Sequence, residues 1–217
     1  MVGYKRKYII SFFTLIVFIG CQKSLQNEQS VYSNDFESKD LANTEGVVIN
    51  NYNGSNVAGY YNDDQFSVSL NALSSHDYVK ISFDLYIHNY WDGNSTGNMV
   101  VITGPDIWSM KVDDSFIIQT TFSNTVCNVI YCLQQSYPNN YPFQNNPQSG
   151  AYNTNLPGLC GNGGITTLYK IEKLVKHSKA SLLLTFGDLL KQSNVTDKLC
   201  DESWSLDNLK ISTVVSN

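Results

Sequence analysis

Past Arg6 the sequence contains no arginine, and charged residues make up only 15% of its 217 positions. The first seven residues hold three of the 14 basic side chains, Lys5, Arg6 and Lys7, so 11 lysines face 19 acidic residues over the rest of the chain. A surface of that sign repels a phosphate backbone and lacks the side chain that reads base edges in pairs, which excludes nucleic acid as a partner. Proline is scarce, at five residues, and no segment recurs at a fixed period, which excludes solenoids and propellers. Also missing are His-Glu-x-x-His, Gly-x-Ser-x-Gly, the P-loop and the dinucleotide-binding glycine fingerprint. Three histidines occur, His76, His88 and His177. His88 reads as a solvated strand edge and His177 as a solvated polar turn; His88, near Asp92, is also the candidate for half of an acid–base pair. Glycoside hydrolysis needs two carboxylates facing each other across a cleft, and a pair such as Asp84 with Asp106 is conceivable but unmarked. The chain is expected to be non-catalytic.

What is present is apolar enough to fold. Hydrophobic residues reach 42% and aromatics 12%, room for one domain with a sizeable core. Ile9 to Ile19 is an apolar run behind a basic N-terminus, too short to cross a bilayer as a helix. It closes with Phe18-Ile19-Gly20-Cys21 and turns polar at once. This resembles a bacterial lipoprotein signal, which implies cleavage before Cys21, lipidation of that cysteine and membrane attachment through the lipid. The expected organisation is a signal peptide over 1–20, a polar tether over 21–33 and a folded domain over 34–217. The expected location is the bacterial cell envelope, at the outer membrane or cell surface.

Export also governs the other cysteines. Cys127, Cys132, Cys160 and Cys200 are even in number, and their spacing does not match paired zinc knuckles, so two disulfides are expected. Cys127 with Cys132 and Cys160 with Cys200 is one pairing; Cys132 with Cys160 remains an alternative.

Strand patterns dominate. Val79, Ile81, Phe83, Leu85 and Ile87 alternate with polar positions over Tyr78 to His88, which puts one face of a strand in the core. Val68 and Leu70 alternate before it, and Phe116, Ile118, Thr120 and Phe122 after it. Leu182, Leu184 and Phe186 share a side, and Leu206, Leu209, Ile211 and Val215 close the chain. Turn signals at Asn53-Gly54, Asp92-Gly93, Asp113-Asp114 and Gly161 to Gly164 separate these runs. Short strands between polar turns predict an all-β, antiparallel sandwich. Ile171 to His177 is the only helical rival. Phe122 to Ile165 has little alternation and three of the four paired cysteines, the mark of a functional or stapled loop.

Several stretches together are similar to bacterial extracellular β-sandwich domains of the jelly-roll type, related to lectin-like and carbohydrate-binding modules. They are Asp35-Phe36-Glu37, Val79 to Ile87 running into Tyr90-Trp91-Asp92-Gly93, Gly104-Pro105-Asp106-Ile107-Trp108, Thr120 to Asn124, Gln135 to Pro138, and Asp201 to Ile211 with its Asp207-Asn208 pair. The resemblance implies a jelly-roll topology with neighbouring first and last strands tied by a structural calcium ion. Glu37 and Asp207 match the places of its carboxylates, with Asp35 and Asn208 as further oxygen donors; the bland alternative is that these groups cap turns. Trp91 and Asp92, with Tyr137 and Tyr141 in the long loop, are the candidate ligand contacts, since aromatic and amide side chains suit a sugar face or a protein rim. Packing inside the domain is the competing role for Trp91. The functional expectation is a surface-anchored module that binds glycan or a surface protein, with a structural or adhesive lipoprotein as the alternative.

Overall fold

The computed structural model describes residues 27–96, 104–161, 163–191 and 195–216. The expected signal segment, Cys21 and the first part of the expected tether lie outside them. Among the described residues twelve strands form: β1 (Glu28–Asn34), β2 (Thr44–Glu45), β3 (Ile49–Tyr52), β4 (Ser55–Tyr61), β5 (Gln65–Leu70), β6 (Tyr78–Asn89), β7 (Ile107–Val112), β8 (Ser115–Thr121), β9 (Asn153–Pro157), β10 (Ile165–Lys176), β11 (Leu182–Leu189) and β12 (Glu202–Val214). One sheet runs β3-β4-β12-β6-β10-β9, with β1 also on β12, and the other runs β2-β5-β11-β7-β8. All of these pairings are antiparallel. The fold is a two-sheet antiparallel sandwich, as the sequence pattern predicts.

β6 shows why. Val79, Ile81, Phe83, Leu85 and Ile87 are all buried, while Lys80, Ser82, Asp84 and Tyr86 line the outer face of the sheet. Each such burial stabilises by roughly 1.5–3 kcal/mol, so this strand anchors the core. Opposite it, Phe83 packs within 5.1 Å of Phe186 and 5.9 Å of Trp108, ring centre to ring centre. Trp204 completes the aromatic centre, 5.9 Å from Trp108.

Four expectations change. The stretch Ile171 to His177 is no helix; residues up to Lys176 form the end of β10, paired with β6 from Thr166–His88 to Lys176–Tyr78. Leu174, within that stretch, points outward and is 49% exposed. On β8 the alternation breaks: Ile118 is buried while Phe116 is half exposed, because the register slips between Met110 and Lys111 of β7. Of the closing run, Leu206, Leu209 and Ile211 are buried as expected, Leu206 and Leu209 sharing a face because β12 bulges between Asp207 and Lys210, with Asn208 at φ 53°, but Val215 lies past the end of β12 and is exposed. Finally, the expected tether is strand from Glu28 onward. β1 is polar and mostly exposed, so side-chain patterning is weak there, and main-chain pairing with Leu209–Val214 of β12 places it.

The same edge of β12 is shared. β4 pairs with Trp204–Leu206, and β1 takes over at Leu209, so the bulge at Asp207-Asn208 marks the handover. The sandwich thus has two poles. β1 starts beside Val214 and Tyr78, whereas β6 ends at Asn89 beside Glu202, roughly 35 Å away along a twelve-residue strand.

Candidate functional site

At the handover, Glu37 and Asp207 meet across Ser55. The Ser55 hydroxyl donates to Glu37 Oε1 at 2.6 Å and lies 3.4 Å from Asp207 Oδ2. Glu37 Oε1 also accepts from Asn56 N at 2.9 Å, and Asp207 Oδ1 from Asn208 N at 2.6 Å. Asp35 Oδ1 instead accepts from Glu37 N within its own turn, and Asn208 donates to Asp84. Of the four oxygen donors that the resemblance implies, the structure brings Glu37 and Asp207 together, while Asp35 and Asn208 turn to other partners. Burial, with the charges of Asp84 and Glu37, raises the Asp207 carboxyl to about 6. Asp84 is also held by Lys170 at 3.3 Å on the outer face of the sheet. It does not pair with Asp106.

The expected ligand contacts do not form one surface. Trp91 is wholly buried, donates from its indole N–H to Ser203 O at 2.9 Å, and packs on Phe122. Its ring offers no face to a sugar. Tyr137 is buried too, between Phe122 and Tyr169, because those three rings fill the space under the long loop. Tyr141 alone of the four named contacts is clearly exposed, and Asp92 is half-buried. Two grooves, of about 460 and 520 Å³, run over the sheet faces; the polar and charged side chains of Asp84, Lys170, Glu172 and Lys210 line the first, and Glu45, Asp64, Lys111 and Asp114 line the second.

The histidines are interior groups, not solvated edges. His88 is fully buried between the hydroxyls of Thr166 and Ser205, at 2.9 and 2.8 Å, and burial pushes it down to about 3, so it is neutral. His76 Nε2 lies 2.8 Å from His177 Nδ1, and His177 Nε2 lies 3.3 Å from Asp113. This pair ties the β5–β6, β7–β8 and β10–β11 turns at the pole where β1 begins.

The opposite pole holds the long loop. Cys127 bonds to Cys132 and Cys160 to Cys200, the first of the pairings that the sequence left open. Between Cys127 and Cys132 three main-chain N–H groups are bonded within the loop: Asn128 N donates to Tyr131 O at 2.9 Å, and Asn128 Oδ1 accepts from Ile130 N and Tyr131 N at 2.9 and 2.8 Å. Val129 is 102% and Ile130 92% exposed, with Val126 and Tyr131 exposed beside them. From Ser115 to Tyr169 the chain has no Asp, Glu, Lys or Arg. This charge-free crown was legible in the sequence as a missing residue type; its projecting tip required the fold.

Beneath the crown lies an acidic cluster. The Asp92-Gly93 turn follows β6, and Asp92 bridges to Ser123 at the foot of the loop. Gly93, at φ 69°, is required because a Cβ would strike Gln134 O. Asp106, wholly buried before β7, accepts through Oδ2 from Asp92 N and, at 3.0 Å, from Gly93 N. Its Oδ1 is buried without a hydrogen-bond partner. Burial raises the Asp106 carboxyl well above the usual range, and the charges of Asp92 and Asp201 add to this. Burial, with the Asp201 charge, raises Asp92 to about 6. Among the described residues no three His, Cys, Asp or Glu side chains gather in a metal-binding group.

No protein-family model matches the chain, and no curated protein does. Among solved structures it is similar to the K2 cleaved adhesin domain of Lys-gingipain, with a TM-score of 0.35 and 13% identity over 86% of this chain and 98% of that one. At this distance the architecture rests on the strand pairing of the chain itself: it is an all-β, two-sheet antiparallel sandwich.

Proposed function

We propose that the chain is a non-catalytic adhesive domain, held at a bacterial cell surface by a lipid on Cys21, that engages a protein partner through the tip of its charge-free crown. The carrying observation is the almost complete exposure of Val129 and Ile130 on a disulfide-closed loop, at the pole opposite to where β1 begins. A domain attached through its N-terminus would turn that pole outward. Two aliphatic side chains side by side favour an apolar cleft, and the internal bonds of Asn128, Ile130 and Tyr131 lower the cost of burying the tip. The short disulfide loop also limits the entropy lost on docking.

Glycan binding, the ligand class that the jelly-roll resemblance implies, is the second reading. It draws support from the exposed Tyr141, Phe143 and Tyr152. The inward turn of Trp91 and Tyr137 and the polar grooves favour the protein partner over it. Adhesion of beads coated with the chain to protein-coated surfaces and to whole cells tests the reading, with Ile130→Asp as the variant. Adhesion is expected to fall about tenfold or more, the loss of one buried anchor. Unchanged adhesion of the variant, blocked by free saccharide, would replace this reading by the glycan one.

A further inference from the structure

We propose that the outer edge of β10, from Lys170 to Lys176, is a self-association surface on which a second copy of the chain docks, joining the two larger sheets edge to edge about a two-fold axis at Leu174. This stands independently of the adhesive reading. The first observation is that the edge is unclaimed. β9 covers β10 only at Ile165, Thr166 and Leu168, and Tyr152 N closes that pairing by donating to Leu168 O at 2.8 Å. Beyond it, among the described residues, no strand pairs with that side of β10. The edge of the other sheet, β8, is instead closed by the long loop, where Tyr141 N and Tyr137 N donate to Gln119 O and Thr121 O at 2.7 and 3.1 Å. An open row of main-chain donors and acceptors is a template for another strand.

The second observation is phase. β10 pairs with β6 without a break from Thr166–His88 to Lys176–Tyr78, so its main-chain groups alternate regularly. Leu168 O turns away from β6, whereas His177 N turns toward it and donates to Asp77 O at 3.0 Å. Lys170, Glu172, Leu174 and Lys176 therefore present their N–H and C=O groups to the open side. Their side chains share the outer face, and all four are exposed. The third observation is the order of those side chains. An antiparallel copy about Leu174 sets Leu174 against Leu174, Glu172 against Lys176 of the second copy, and Lys176 against its Glu172. Neither Glu172 nor Lys176 has an ion pair within its own chain among the described residues. An axis at Glu172, Lys173 or Lys176 would set like charges opposite each other, so the sequence favours the register at Leu174. That register forms about six main-chain hydrogen bonds, two at each facing pair. On the core side Lys173 meets Val175 of the second copy; a lysine turned inward on an edge strand is a guard against indiscriminate pairing, which keeps the contact weak. Lys176 aligns through Tyr78 and Val214 with Glu28, so the axis lies near the pole where β1 begins. The two crowns then point away from each other, and both tips stay uncovered.

The test is sedimentation equilibrium of the full-length chain at low salt in density-matched mild detergent. The wild-type chain should form a dimer whose fraction rises with concentration up to about 100 μM. Glu172→Lys and Lys176→Glu should each weaken it about tenfold or more, and the two together should restore it to within about threefold, because the exchanged charges again face their opposites. Leu174→Pro removes an N–H on the open side alone, so it should abolish the dimer while the melting temperature stays within about 5 °C of wild type. The proposal is overturned if the wild-type chain stays monomeric at about 100 μM, which would leave the edge to an extended peptide of another protein. Species larger than a dimer would overturn it too, since a two-fold contact closes on itself. So would a dimer that persists in folded Leu174→Pro, or a double charge exchange that fails to restore association.

Discussion

Asp188 and Asp106 are both buried aspartates, each raised by burial, yet their surroundings differ. Asp188 Oδ1 accepts from Asp63 N and Leu190 N at 2.6 and 3.1 Å, and Oδ2 from Asp64 N and Trp204 Nε1 at 3.3 and 2.5 Å. Both of its oxygens are spoken for by the protein, so it acts as a staple between the β4–β5 turn, the end of β11 and the Trp204 ring of the core. Asp106 has two donors on one oxygen and none on the other. A carboxylate with a full shell is a structural part; one with half a shell is held by the protein on one side alone. The Glu37–Asp207 clip falls nearer to Asp188, since Ser55, Asn56 and Asn208 already supply donors to its oxygens.

The largest effect that would break this comparison is at Asp188. Asp188→Ala leaves four donors without their acceptor, two of them, Leu190 N and Trp204 Nε1, buried, and should cost about 3–5 kcal/mol in urea unfolding. If the loss were below about 1 kcal/mol, the staple role would fall.

Asp106→Asn should change stability by no more than about 1 kcal/mol, because the amide oxygen still accepts from Asp92 N and Gly93 N. A loss as large as that of Asp188→Ala would make the two aspartates equivalent.

A pH series sharpens the contrast with Asp207. Its carboxyl titrates near 6 when folded, above its unfolded value of 3.8, so the neutral form suits the fold better. That contribution is fully present below about 3.8 and is lost as the pH rises through about 6. The wild-type chain should therefore be more stable at pH 5 than at pH 7. Asp207→Asn should flatten part of that slope and add about 1 kcal/mol at pH 7. A wild-type stability that instead falls between pH 7 and pH 5 would contradict it.

The smallest effect belongs to the crown tip. Ile130→Asp should leave the unfolding free energy within about 0.5 kcal/mol of wild type, since a side chain 92% exposed has little packing to lose. A larger loss would mean that the tip packs on the domain and is no free anchor.

Much of the scaffold was legible because burial imposes a period of two. Val79 to Ile87, Val68 with Leu70, and Leu182 to Phe186 all read correctly. The places where the pattern misled are those where register slips or main-chain pairing outweighs side chains: Phe116 beside the β7–β8 bulge, the Ile171 to His177 stretch at the end of β10, and the polar β1. Trp91 and Tyr137 misled for another reason. A turn rich in polar neighbours looks exposed in sequence, but the loop over it is long enough to cover both rings. Asp106 carried only a weak signal, one residue of the Gly104-to-Trp108 motif and of an imagined pair with Asp84. Its true neighbour is Asp92, across a turn.

Composition and alternation by themselves determined an acidic, strand-built sandwich with two disulfides, because hydrophobic burial and cysteine number are properties of the chain before it folds. Only the tertiary structure decided which carboxylates keep a bare oxygen, which rings are covered and where the uncharged loop projects. Those depend on donors and surfaces brought from distant strands, such as Ser55 to Asp207 or Asp92 to Asp106. The spacing of residues along the chain does not specify such meetings; the register of the sheets does.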